Sequence, residues 1–248
     1  MIVDYNVYQL SKRERLQFSV LLFCAALGTS YVFYASFVPI LLYPLAYRKA
    51  EKAYCNYLAG RRKNALLLQF RDLLYSLSAS LATGRHMEEA LEESEESLQD
   101  VYGKESDLLM EIKDMIRRMK ETGDSDLTVI EDFARRTALE DVEDFTEVFR
   151  ACRETGGNLV AAVNKAATVI GEKINIEREI KTMVTQKKYE GRIITMMPVV
   201  IILFLQMMSP DYLTVMYTAA IGRLLMSLAL AAIVIAYWMI ERITDIEV

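Results

Sequence analysis

The sequence predicts an all-α, polytopic membrane protein in which a charged six-helix bundle stands between two transmembrane hairpins. Three observations predict it. Residues 16–47 carry no charge, and residues 193–208 and 224–240 are two further charge-free apolar runs. Nearly all the charged residues fall between Arg48 and Arg192. That middle repeats apolar residues every three or four positions and shows no sustained strand alternation.

The totals alone conceal this. The chain has 248 residues, 53% hydrophobic and 25% charged, values that suit an ordinary soluble protein. A net charge of -5 without a basic stripe excludes nucleic acid as a partner. Cys24, Cys55 and Cys152 form no CxxC spacing, so they read as reduced thiols and not as a disulfide framework or a zinc site.

The first flank is too long for a secretory signal peptide and is followed by Arg48 and Lys49 instead of a cleavage site. As one helix it would be about 45 Å long, against a hydrocarbon core of about 30 Å. Lys12, Arg13 and Arg15 precede it; Arg48, Lys49, Lys52, Arg61, Arg62 and Lys63 follow it. Basic residues at both ends favour an even number of crossings, so the flank is expected to be a hairpin, turning at Gly28-Thr29-Ser30 with Pro39 and Pro44 tolerated inside it. The second flank opens after Lys187, Lys188 and Arg192. It is broken at Ser209-Pro210-Asp211, passes through a mildly amphipathic stretch over 212–223, and ends at Glu241 and Arg242. Arg223 is expected to sit at the outer boundary and snorkel. Both hairpins return to the same side, which makes the middle cytoplasmic. The expected division is therefore 1–47, 48–190 and 191–248: an N-terminal segment with its hairpin, the cytoplasmic bundle, and the C-terminal hairpin.

Within the middle, Leu66, Leu67, Phe70, Leu73, Leu74, Leu77 and Leu81 mark a first helix, stopped at Gly84. A second opens near His86, with Met87, Ala90, Leu91, Ser94, Leu98 and Val101 on one face and Glu92, Glu93, Glu95 and Glu96 mostly on the other; Gly103 ends it. A third carries Leu108, Leu109, Ile112, Met115, Ile116 and Met119 and ends before Gly123. Leu127, Ile130, Phe133 and Ala134 mark a fourth, with Asp126 as its expected N-cap. Val142, Phe145, Val148, Phe149 and Cys152 mark a fifth, ending at Gly156-Gly157. Asn158 has the chemistry to cap a long sixth, with Leu159, Val163, Ala166, Ala167, Ile170, Ile174, Ile180 and Met183 on its face.

No catalytic constellation emerges. A phosphate-binding GxxxxGK[ST] loop is absent from the sequence, and Gly156-Gly157-Asn158 lies between two helices, not after a strand. His86 is the sole histidine and stands among glutamates, so a Ser-His-Asp or Cys-His arrangement has little to build on. The glutamates from Glu88 to Glu96 lack a histidine partner for a metal and read as a solvated face or a partner surface. The expectation is a protein with no cofactor, no metal and no enzymatic activity of its own.

One arrangement is more specific. Ser80-Leu81-Ala82-Thr83-Gly84 is followed by Met87-Glu88-Glu89-Ala90-Leu91. Later come Arg153-Glu154-Thr155-Gly156-Gly157-Asn158-Leu159, then Ala166-Ala167 and Ile170, then a charged helix leading to an apolar hairpin that opens with Pro198. From about residue 64 to 248 this resembles the type II secretion F domain, in particular the smaller platform proteins of tight-adherence (Flp, type IVc) pilus systems. The resemblance implies a multi-pass platform in the inner (cytoplasmic) membrane. It would touch a cytoplasmic assembly ATPase, help move pilin subunits out of the lipid bilayer, and work with a second copy or a paralogous platform protein, since one F domain is present where larger members have two. Gly84, Gly156, Gly157 and Asn158 would be structural turns. Glu92, Glu93 and Glu96 are the first choice for an ATPase-facing surface. A membrane-anchored scaffold or signalling protein whose bundle binds a soluble regulator is the alternative. A small transporter would want more broken or polar membrane segments than Gln206 and Arg223 supply.

Overall fold

The computed structural model describes Tyr5 and residues 12–34 and 43–244, and among these residues it is helical without any strand. In chain order the helices are α1 (Lys12–Tyr34), α2 (Tyr43–Ala82), α3 (Met87–Tyr102), α4 (Asp107–Arg117), α5 (Asp126–Thr137), α6 (Glu140–Thr155), α7 (Leu159–Met208), α8 (Pro210–Thr218) and α9 (Ala220–Thr244). A π-helical turn, Arg118–Thr122, loosens the end of α4 before Gly123. By internal contacts the described residues form two units: Tyr5 with Tyr54–Ile176, and the remainder.

The first unit is built from the end of α2, the four short helices α3–α6 and the start of α7. Its core is the stripe written in the sequence. Leu66, Phe70, Leu73, Leu74 and Leu77 of α2 are buried together with Leu108, Leu109 and Ile112 of α4, Phe133 of α5, Phe149 of α6 and Val163 and Ala167 of α7. Phe70 sits at the centre, 5.8 Å from the Phe133 ring and 5.6 Å, edge to face, from Phe145. Truncating such a fully buried phenylalanine to alanine costs about 3–5 kcal/mol.

Three stripe positions are exposed: Met183, on the part of α7 that belongs to the second unit, Val148 and Val101. Val148 lies on the flank of the α6 stripe. Val101 lies within the α3 stripe, but in the last turn before Gly103, so its exposure comes from its position along the helix and not from its face.

Helix starts follow local chemistry. Ser106 accepts from the Leu109 amide at 3.3 Å and Asn158 accepts from the Ala161 amide at 3.0 Å, each quenching an orphan donor of the first turn. The expected cap at Asp126 is displaced by one residue. Ser125 is extended and takes the Thr128 amide at 3.1 Å, while Asp126 is already helical.

In the second unit, α1 runs unbroken through Gly28, so the turn expected at Gly28-Thr29-Ser30 does not form; Thr29 Oγ1 donates to the Ala25 carbonyl at 2.9 Å, as helical threonines do. Pro39 and the rest of 35–42 lie outside the described residues. Among the described residues α7 and α9 are the two helices long and apolar enough to cross a membrane, and only 6% of the apolar window of each is buried by protein. Near the end of α1, Val32 and Phe33 pack with Met226 of α9 and, on α7 and α8, with Val199, Ile202, Met216 and Tyr217. The break at Ser209 between α7 and α8 falls where Ser209-Pro210-Asp211 predicts it.

Candidate functional site

Ala82 from the stretch Ser80–Gly84 and Asn158 from Arg153–Leu159, far apart in sequence, line one groove in the first unit. Ser78, Ala79 and Ala82 of α2 line this groove with the capping residue Asn158 and with Ala161 and Asn164 of α7. Small side chains permit this approach, and Asn164 Nδ2 spans it by donating to Ser78 Oγ at 3.3 Å. The chain turns sharply after α2 and again after α6, just before α7. Gly84 adopts φ +86° and Gly156 φ +68°, left-handed values where a Cβ is strained. The amides of Gly156 and Gly157 both return to the Cys152 carbonyl, the latter at 3.0 Å, which closes α6 in a Schellman turn. Gly157 has no left-handed φ; a Cβ there would make an ordinary 3.5 Å contact with Cys152. Arg153 pairs with Asp126 and lies over the Phe149 ring at 5.6 Å, tying this turn to α5.

The acidic face of α3 is less open than its sequence implies. Glu92 pairs with Lys120 beyond the end of α4. Glu93 takes Arg85 at 3.2 Å and the Ser80 hydroxyl at 2.5 Å, and Glu95 reaches Lys113 at 3.6 Å. Glu96, by contrast, is exposed and in no ion pair among the described residues. Of the three glutamates expected to face a partner, two therefore also hold the bundle together.

A buried polar network went unread in the sequence. Glu111 of α4 is 4% exposed: its Oε1 accepts from Arg136 Nη1 of α5 at 2.7 Å, and Arg136 Nη2 stands as an ion-pair contact 2.6 Å from Oε2, which accepts no hydrogen bond among the described residues. Arg136 Nε continues to Asp132 at 2.9 Å, and Asp132 also binds Arg118 at 2.9 Å and Arg135 at 2.5 Å. Burial pushes the Asp132 carboxyl up, but the hydrogen bonds from Arg135 and Arg136 and the charge of Arg118 outweigh it, so the carboxyl is held below its ordinary value. Tyr5 covers Glu111: its hydroxyl donates at 2.8 Å, and the side chain is 1% exposed. Burial first, then the Glu111 charge, push this phenol up. A similar pair, Tyr102 on Asp72, is pushed up to about 12 by burial and by its hydrogen bond. Helical periodicity carries no signal for the contact of Tyr5, because Tyr5 stands 106 residues from Glu111.

In the second unit, Arg192 of α7 donates to Glu241 of α9 at 2.7 Å and Lys188 reaches the same carboxylate at 3.5 Å. Arg223 gives its Nε to the Tyr217 carbonyl at 2.7 Å, where α8 gives way to α9. The Tyr217 hydroxyl donates to the Val32 carbonyl in the last turn of α1 at 2.8 Å. His86 precedes α3 and makes no capping bond, and among the described residues no group of three or more His, Cys, Asp or Glu side chains could hold a metal.

A family model, Type II secretion system (T2SS), protein F, matches residues 70–207, from the bundle core into the apolar part of α7. The chain belongs to this family. No curated protein and no solved structure matches it.

Proposed function

We propose that this member of the type II secretion F family is a multi-pass platform protein of the inner (cytoplasmic) membrane, serving a tight-adherence (Flp, type IVc) pilus or a type II secretion machine. The bundle lies in the cytoplasm and meets the assembly ATPase. The chain performs no chemistry; it passes a push or rotation into the hairpin of α7 and α9, where pilin subunits leave the bilayer. A second copy or a paralogous platform protein completes the working unit.

The family match over 70–207 carries this reading, because it joins the bundle and the first apolar helix in one inherited piece. The uninterrupted α7, Leu159–Met208, supports the mechanical part, since a helix transmits displacement along its axis. The acidic face of α3 is the ATPase-facing surface, with Glu96 its open residue.

Glu96→Arg tests the partner. Retention of the ATPase on the immobilised chain should fall severalfold and piliation with it, while the bundle stays folded; unchanged retention removes α3 from the interface. Glu92→Arg is less clean because it also releases Lys120. Membrane topology is tested separately by thiol labelling in sealed cells, with single cysteines at Thr29, Glu95 or Pro210 in a chain lacking Cys24, Cys55 and Cys152. Labelling from outside at Thr29 and Pro210 but not at Glu95 is expected. Outside labelling at Glu95 would place the bundle where no cytoplasmic ATPase can reach it and would end the reading.

A further inference from the structure

We propose that Arg62, Asp107, Glu111 and Arg136 form a tyrosine-recognition site on the bundle, and that its occupant is Tyr5 of the chain's own N-terminal segment. Tyr5 precedes every described helix, yet it is 1% exposed, as deeply buried as Leu66 of the core. The site reads both parts of the side chain. Glu111 Oε1 accepts the hydroxyl at 2.8 Å, and the Arg62 guanidinium lies 5.0 Å from the ring centroid, a cation–π distance.

Each wall is fixed by a partner other than Tyr5. Arg62 is held in a fork by Asp107, Nε at 2.6 Å and Nη2 at 2.5 Å, and Glu111 is held by both terminal nitrogens of Arg136. The walls are therefore preorganised, and binding does not have to order them. Two arginines face two carboxylates, so the site suits a neutral phenol. The carboxylates of Glu111 and Asp107 would repel a phosphorylated tyrosine. Phenylalanine would fill the space but remove one of the two donors to Glu111 Oε1, leaving only Arg136 Nη1 on it, and a bond to a charged acceptor corresponds to about tenfold or more in occupancy.

The site also bears on how the chain enters the membrane. Tyr5 and Tyr54–Ile176 belong to the first unit, whereas 12–34 and 43–53 belong to the second. If the second unit is the membrane part, as in the reading above, both ends of this excursion are tied to the bundle and it crosses an even number of times. The contact itself needs no ATPase and no fibre, so its test and that of the platform reading are separable.

The test is hydroxyl-radical footprinting of the full chain in lipid nanodiscs, read tyrosine by tyrosine. Tyr5 should oxidise at least about tenfold more slowly than Tyr57 and Tyr189, which are 65% and 61% exposed. Arg62→Gln should bring Tyr5 toward the rate of Tyr57, and Glu111→Gln, which keeps an acceptor, should do so less. Wild-type Tyr5 oxidising as fast as Tyr57 would overturn the proposal. Because wall variants can loosen the bundle, Tyr5→Ala gives a second readout. Amide exchange in the first turn of α4, at Leu108 and Leu109, should rise severalfold while α6 is unchanged. No change in α4 would overturn the proposal as surely.

Discussion

The Arg192 guanidinium on α7 donates to the Glu241 carboxylate on α9 at 2.7 Å, one residue along from a very close helix approach. A Cβ on Gly191 would stand 3.1 Å from Ile240 Cγ2 and 3.2 Å from its Cδ1. An ion pair and a steric match thus fix the same point of the α7–α9 hairpin.

Gly191→Leu should force this approach apart. Overpacking of this kind costs about 1–3 kcal/mol, read as a lower thermal unfolding midpoint in detergent. Ile240→Ala in the same chain should restore part of the loss, because it removes the colliding methyl groups. Equal midpoints for wild type and Gly191→Leu would show that the approach is not close.

The paired glycines that end α6 should behave unequally. Gly156 is left-handed, so Gly156→Ala should lower stability by about 1–2 kcal/mol. Gly157→Ala, facing only ordinary contacts at 3.5 Å, should stay within about 0.5 kcal/mol. Chemical denaturation followed by circular dichroism distinguishes the two.

Arg136→Met should be the most damaging polar change in the bundle. It leaves Glu111 buried without its counter-charge, and removing one partner of such a pair costs about 3–5 kcal/mol. Glu111→Leu combined with Arg136→Met should recover most of it, since neither charge then remains unpaired. A double variant no more stable than the single one would contradict this account.

Asp132 gives the bundle an acid limit. Its folded carboxyl is held below the ordinary value, so it stabilises the fold above the unfolded value of about 3.9, and that contribution is lost as pH falls through the depressed folded value. Unfolding midpoints measured from pH 7 to pH 3 should drop more steeply below about pH 4 for wild type than for Asp132→Asn. Parallel curves would mean that the three arginines around Asp132 do not hold its charge.

The sequence alone was enough for the helical class, the apolar runs of α7 and α9, the glycine breaks at Gly84, Gly103, Gly123 and Gly156, and nearly all of the bundle core. Each of these is local or periodic. A glycine ends a helix through its own φ, and a stripe at a spacing of three to four buries one face whatever it packs against. Asn158 could be assigned as a cap for the same reason, and the error at Asp126 was a choice between two adjacent capping residues.

Tertiary structure alone decided the rest. It put Lys120 on Glu92 and Arg85 on Glu93, so an acidic face that sequence leaves open is partly spoken for. It carried α1 through Gly28, because an isolated glycine in an apolar helix does not compel a turn. It seated Tyr5 on Glu111 and Ile240 against Gly191. These contacts join residues distant along the chain, and which side chains meet there depends on how whole helices dock, a property that no short window of sequence contains.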